Sequence, residues 1–266
     1  MWHLQAGKKA IVIVQILFYL FFWNATSSQA SNMINTAEQV SQSLLAVGTV
    51  KPNLRHQKKL EASRFLGTGF AIADGKQVVT SLHVVKQDFA KGERLAVILG
   101  KGRQLQVRSA EIILEDSLHD LAVLKITGEA IPTLSLAGSD LEPVGTGVGL
   151  SGFPLGINVG FYPVTHRGMI ASVAPLASPM SSGEKMSAMY MRALRDGFLV
   201  YQLDATVLPG HSGSPVYSPD SGRVLGVVMG HLTLDMPNGK NLRRPSGISY
   251  IIPIRYLHDL LASINQ

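Results

Sequence analysis

The chain contains no cysteine in 266 residues. That absence excludes disulfide bridges, cysteine nucleophiles and thiolate zinc sites together. A chain of this kind, if exported, stands on its hydrophobic core alone. Charge is also scarce: Asp, Glu, Lys and Arg make up 16% of residues, with a net charge of +6. Two of the positive charges, Lys8 and Lys9, sit at the extreme N-terminus, which leaves 6 − 2 = +4 for the rest. So small an excess does not suggest a nucleic-acid partner. The one basic cluster, Lys51, Arg55, Lys58 and Lys59, reads as a solvated loop. Long apolar runs are missing as well. The longest, Ala10 to Trp23, has 14 residues broken only by Gln15, short of the ~20 that a membrane-spanning helix needs. What is present is 46% apolar residues and 26 glycines, the composition of a folded, turn-rich globular chain.

The N-terminus has the layout of a signal peptide: Lys8-Lys9, the apolar run, then Ser28-Gln29-Ala30 with small residues at the cleavage-determining positions. Cleavage is expected after Ala30, giving an exported protein, periplasmic or secreted, with no stable membrane span. The alternative is an uncleaved anchor, with the aromatic end of the run at the membrane interface.

Beyond residue 30 the pattern predicts a short amphipathic helix over Asn35–Leu44 and a strand over Leu45–Val50. From Phe65 onward, short apolar runs alternate with Gly, Pro, Asp and Ser. Expected strands are Gly67–Ala73, Gln77–Thr80, Arg94–Leu99, Gln104–Leu114, Leu121–Ile126 and Gly145–Ser151 in the first part. Val164–Val173, Phe198–Leu203, Ser214–Tyr217, Val224–Gly230 and Gly247–Ile252 follow. Their lengths and regular turn signals predict an all-β barrel or sandwich. Ala73-Asp74-Gly75-Lys76 reads as a hairpin turn, Ala137 to Val144 as a linker between two β units, and Pro175 to Asp196 as a long methionine-containing loop. A closing helix carries Leu257, Leu260 and Leu261 on one face.

Three segments carry chemistry. Pro209-Gly210-His211-Ser212-Gly213-Ser214-Pro215 puts Ser212 in a glycine-flanked turn, where the N–H groups of Gly210 and Ser212 can converge on a developing oxyanion. Val78-Val79-Thr80-Ser81-Leu82-His83 offers a histidine where an apolar strand ends. His119-Asp120-Leu121-Ala122-Val123-Leu124 offers an aspartate where a buried run begins. A serine hydroxyl needs a base within hydrogen-bond reach. A carboxylate beside a buried run needs a partner, and the histidine's other ring nitrogen supplies one. The chain order His83, Asp120, Ser212 is one of the known triad orders. The competing metalloenzyme reading has little behind it, since the eight histidines are scattered and none forms a His-x-x-x-His pair. No metal or cofactor is expected.

These segments resemble the chymotrypsin-fold serine proteases, most closely the bacterial HtrA (Deg) branch. Gly67-Thr68-Gly69-Phe70 with Val79-Thr80-Ser81-Leu82-His83-Val84-Val85 is similar to that branch's histidine block, and His119-Asp120-Leu121-Ala122 to its aspartate block. Gln202-Leu203-Asp204-Ala205-Thr206 through Pro215 is similar to its serine block, and Gly247-Ile248-Ser249-Tyr250-Ile251-Ile252-Pro253 to its closing strand. The resemblance implies two six-stranded β-barrels with the site in the cleft between them, and a protein or peptide substrate. It divides the chain into a signal peptide (1–30), an N-terminal helix, strand and connector (31–65), a first barrel carrying His83 and Asp120 (66–140), and a second barrel carrying Ser212 (141–266). It puts the floor of the specificity pocket near Thr206 and a wall near Met229, Gly230 and His231; with nothing acidic there, cleavage after Lys or Arg is not expected.

The chain departs from the pattern at two positions. His211 stands where the branch usually has Asn and trypsin has Asp, so pairing with a new N-terminal ammonium is not expected. Ser214 stands where Gly is usual. About a dozen residues follow Pro253, so the branch's PDZ module is not expected, and the oligomeric state is open. The alternative function is a catalytically silent or partner-gated protease-like binding protein.

Overall fold

The structure is a computed structural model that describes residues 32–51, 63–102, 104–154, 160–176, 198–235 and 243–263; for 231–235 and 243–246 it describes backbone only. The signal-peptide segment, residues 52–62 of the connector and nearly all of the methionine-containing loop lie outside the described residues, as does the side chain of His231.

Helix α1 (32–42) opens the described chain and turns at Ser43 into β1 (Leu44–Val50), every residue of which is buried. The expected helix over Asn35–Leu44 thus ends earlier. Leu44 pairs with Phe70 as the first residue of the strand, where both side chains leave water. Then come β2 (Arg64–Ile72), β3 (Gln77–Ser81), the one-turn helix α2 (Leu82–Val85), β4 (Arg94–Lys101), β5 (Gln104–Asp116) and β6 (Leu121–Ile126). They close an antiparallel barrel in the order β1-β2-β3-β6-β5-β4, so this barrel draws a strand from the 31–65 segment as well. The second barrel is β10-β11-β12-β9-β8-β7. It is built from β7 (Gly147–Gly152), β8 (Val164–Pro175), β9 (Leu199–Leu203), β10 (Pro215–Tyr217), β11 (Val224–Asp235) and β12 (Arg243–Pro253). Closure removes the unpaired edges that open sheets expose. The chain is an all-β protein of two six-stranded barrels with a short C-terminal helix, α3 (Ile254–Ala262).

The apolar runs that gave the strands away fill the barrels. Leu45, Val47, Val78, Val97 and Leu124 pack in one cluster of the first barrel. A second cluster runs from Phe70, Val79 and Val123 across to Leu150, Ile170, Tyr201, Val227 and Ile252, and joins the two barrels. Each fully buried Leu or Ile contributes on the order of 1.5–3 kcal/mol, and with no disulfides this burial carries the fold. Between the barrels, Ser135 and Ala137 exchange backbone hydrogen bonds with Val224 (2.9 Å each). His258 of α3 bonds the Ala137 carbonyl at 2.7 Å. The linker is thereby fixed to the second barrel and to α3, which buries Ile254, Leu257 and Leu260.

Candidate active site

β3 ends at Ser81, and the chain turns at once into α2, which sets His83 on a single helical turn at the barrel rim. Across from it, the tight turn between β5 and β6 delivers Asp120. Asp120 has φ +53°, the left-handed region that Asp tolerates better than most residues. Its carboxylate accepts two hydrogen bonds from His83, one from the backbone N–H (2.8 Å) and one from Nδ1 (2.6 Å). The Asp120 carbonyl accepts the N–H of Leu82 at 2.9 Å. The side chains are 49% exposed for His83 and 8% for Asp120. The carboxylate is therefore shielded, while the imidazole keeps an open face. With Nδ1–H engaged, the tautomer is fixed and Nε2 is left as the basic nitrogen.

The turn behind Asp120 is built from a second His–Asp pair. Asp116 accepts the N–H groups of Leu118 (2.9 Å) and His119 (3.1 Å), and its other oxygen meets His119 Nδ1 at 2.5 Å. Burial pushes the Asp116 carboxyl up, but the His119 ring and the amide hydrogen bonds outweigh it, and the group settles below its usual range. The His119 ring lies flat on Tyr256 of α3 (3.9 Å) and edge-on to Phe198 (4.8 Å). Neighbours in sequence, His119 and Asp120 thus do separate work: one anchors the turn to the C-terminal helix, the other faces His83.

Ser212 lies on the turn entering β10. Leu208 to His211 forms a turn closed by His211 N–H to Leu208 carbonyl (3.0 Å), with Pro209 second and Gly210 third at φ +102°. That is the residue order a type II turn demands. A Cβ on Gly210 would lie 2.5 Å from the Phe153 carbonyl and 2.7 Å from the Phe65 ring, so space as well as φ requires glycine. The amides then divide. Those of His211, Gly213 and Ser214 donate to Leu208, Val228 and His211 carbonyls. Among the described residues, those of Gly210 and Ser212 donate to nothing. The Ser212 hydroxyl donates to the Met229 carbonyl at 3.3 Å, and no hydrogen bond joins it to His83. Of the expected pocket residues, Thr206 is exposed, Met229 and Gly230 are half-buried, and Gly230 borders open space.

The two departures from the family pattern are both buried beneath this turn. Ser214 Oγ packs against Gly152 and is without a hydrogen-bond partner among the described residues. His211 is fully buried, with Nδ1 near Leu208 N–H (3.1 Å), and its ring meets His166 edge to face at 5.2 Å. Burial, with a smaller contribution from the His166 charge, lowers its pKa to about 4. In the unfolded chain a histidine titrates near 6.5. Between those values the unfolded state binds the extra proton. The contribution of neutral His211 is therefore present above pH 6.5 and is lost as pH falls through 4, at most about 3 kcal/mol. Denaturant titrations across that window are expected to show this loss, and His211→Asn is expected to flatten it. An unchanged slope in the variant would contradict the assignment.

Comparisons with known proteins agree with the two-barrel fold. The family described as Trypsin-like peptidase domain matches residues 67–227, more than half of the chain. A DegP-like periplasmic serine endoprotease of Halomonas elongata is 30% identical over 204 residues, 75% of this chain and 35% of that protein. Serine protease HTRA4 of Homo sapiens is 28% identical over 204 residues, 76% of this chain and 35% of its own length. The chain thus spans about a third of the length of these relatives. A solved HtrA-type protease carrying a tripeptide superposes with a TM-score of 0.59 at 20% identity, covering 87% of this chain and 63% of that one. With both barrels closed and more than half of its length matched, the chain belongs to the trypsin-like peptidase family, in its HtrA type.

Proposed function

We propose that this chain is an exported serine endopeptidase that hydrolyses peptide bonds of proteins through a His83, Asp120, Ser212 triad and an acyl-enzyme. The observation that carries the reading is the conjunction of a shielded Asp120 on His83 Nδ1 with a serine turn whose Gly210 and Ser212 amides donate to nothing among the described residues. His83 Nε2 takes the Ser212 proton as Oγ attacks the substrate carbonyl. The two amides stabilise the oxyanion. His83 gives the proton to the leaving amine, and the same nitrogen then activates the water that releases the acyl group. Asp120 holds the ring and stabilises the imidazolium in each half-reaction. Attack requires Ser212 Oγ to leave the Met229 carbonyl and turn toward His83. Catalytic hydrogen bonds often tighten only once substrate is bound.

That resting orientation also favours a second reading, in which a partner must bind before the serine is engaged. Export rests on the pattern of residues 1–30, and the periplasmic relatives support it. The half-buried Met229–Gly230 wall and Thr206 offer no acid to a basic side chain, so cleavage is expected after small or medium uncharged residues. The test is digestion of a peptide library by the purified protein without partners. Cuts after uncharged residues would support both the activity and the pocket. Cuts mainly after Arg or Lys would overturn the pocket, and no cutting would favour the partner-gated reading.

A further inference from the structure

The Gly67-Thr68-Gly69-Phe70 motif has no part in the triad, yet Thr68 is fully buried at the junction of the barrels. Its backbone N–H donates to the Ser212 carbonyl at 2.9 Å. Its hydroxyl donates to the Gly210 carbonyl at 2.7 Å and accepts the Phe153 N–H at 3.0 Å. Its own carbonyl accepts the Thr80 hydroxyl at 2.7 Å and lies where a Cβ on Gly213 would go. One first-barrel residue therefore holds the carbonyls of both Gly210 and Ser212, whose amides have no partner among the described residues.

Peptide planarity gives these contacts a consequence. The Gly210–His211 plane is held at both ends, its C=O by the Thr68 hydroxyl and its N–H by the Leu208 carbonyl. The Ser212–Gly213 plane is held by the Thr68 N–H and the Val228 carbonyl. The His211–Ser212 plane is held through its C=O by the Ser214 N–H. The Ser212 N–H lies in the last of these planes, so its direction is set before substrate arrives; the Gly210 N–H lies in the preceding Pro209–Gly210 plane, bounded by the fixed φ of Pro209 and by the held Gly210 carbonyl. Preorganised donors of this kind need no rearrangement as charge develops.

We propose that Thr68 is a positioning residue for the oxyanion donors: its hydroxyl, reaching across from the first barrel, fixes the Gly210 carbonyl and so aims the amides of the serine turn. The inference rests on the triad reading above. Its test is steady-state kinetics of Thr68→Val, which keeps the shape and removes the hydroxyl, against Thr68→Ser, which keeps the hydroxyl. Thr68→Val is expected to lose about tenfold or more in kcat, towards the ~10²–10³-fold of losing one oxyanion donor outright, with KM nearly unchanged. Thr68→Ser should retain most of the rate. Affinity for a peptide boronate, whose adduct is tetrahedral, should fall with kcat, while affinity for a cleaved product peptide holds. A merely structural role would move product binding and melting temperature without that split. If Thr68→Val does not fold, Thr68→Cys, a weak donor, takes its place against Thr68→Ser. An active wild type matched in kcat by the hydroxyl-free variant overturns this inference alone, whereas an inactive wild type overturns the triad reading and this inference with it.

Discussion

Ser212→Ala is expected to abolish turnover, lowering kcat by about 10⁵–10⁶-fold, without unfolding the protein. The side chain is half-buried, and its hydroxyl makes a single 3.3 Å contact with the Met229 carbonyl. Its loss therefore leaves no buried donor without a partner and opens no large cavity. The turn around it is held by backbone groups that the substitution leaves in place: Thr68 N–H on the Ser212 carbonyl, and the amides of His211, Gly213 and Ser214. Melting temperature should match the wild type while peptide hydrolysis falls to background. Ser214→Ala, in contrast, removes a buried hydroxyl without a partner among the described residues, and should leave catalysis nearly intact. If Ser212→Ala kept measurable turnover, the nucleophile would lie elsewhere.

The second large effect is expected at Asp120. Replacing it with Asn keeps the size of the side chain and an oxygen for the His83 backbone N–H. The atom facing His83 Nδ1 at 2.6 Å then becomes an amide nitrogen, which donates. Nδ1 must become the acceptor, the proton moves to Nε2, and the nitrogen that should take the Ser212 proton already carries one. A loss of about 10⁴-fold in kcat is expected. The left-handed backbone at Asp120 is tolerated by Asn as well, so stability should change little. A variant within tenfold of wild type would show that Asp120 does not orient His83.

How much of this was legible in the chain varies by element. The twelve strands announce themselves because each barrel wall needs an apolar run bounded by turn residues; runs such as those of β1 and β6 are almost wholly buried, whereas β5 and β8 stay largely open to solvent. Boundaries are less visible. β5 runs on to Asp116 and β11 to Asp235, because bulges at Ile112/Leu114 and His231/Thr233 carry the pairing past the apolar stretch. The segments bearing His83, Asp120 and Ser212 stand out because nucleophile, base and orienting acid require those residue types next to glycines and strand ends. Three roles do not show in the sequence. Thr68 reads as an ordinary strand residue, since its contacts with Gly210, Ser212 and Phe153 join positions distant in sequence. His119 reads as the neighbour of an aspartate. Its role depends on Tyr256, which arrives only when α3 folds back. His211 reads as a departure from a pattern, and its partner His166 comes from β8, which pairs with β7.

The most direct test of the central claim is labelling with a fluorophosphonate, a probe that reacts only with an activated serine, followed by mapping of the modified peptide by mass spectrometry. The account predicts a single adduct on Ser212, lost in Ser212→Ala and in His83→Ala and retained in Ser214→Ala. An unlabelled wild-type protein, or an adduct on any other serine, would contradict it.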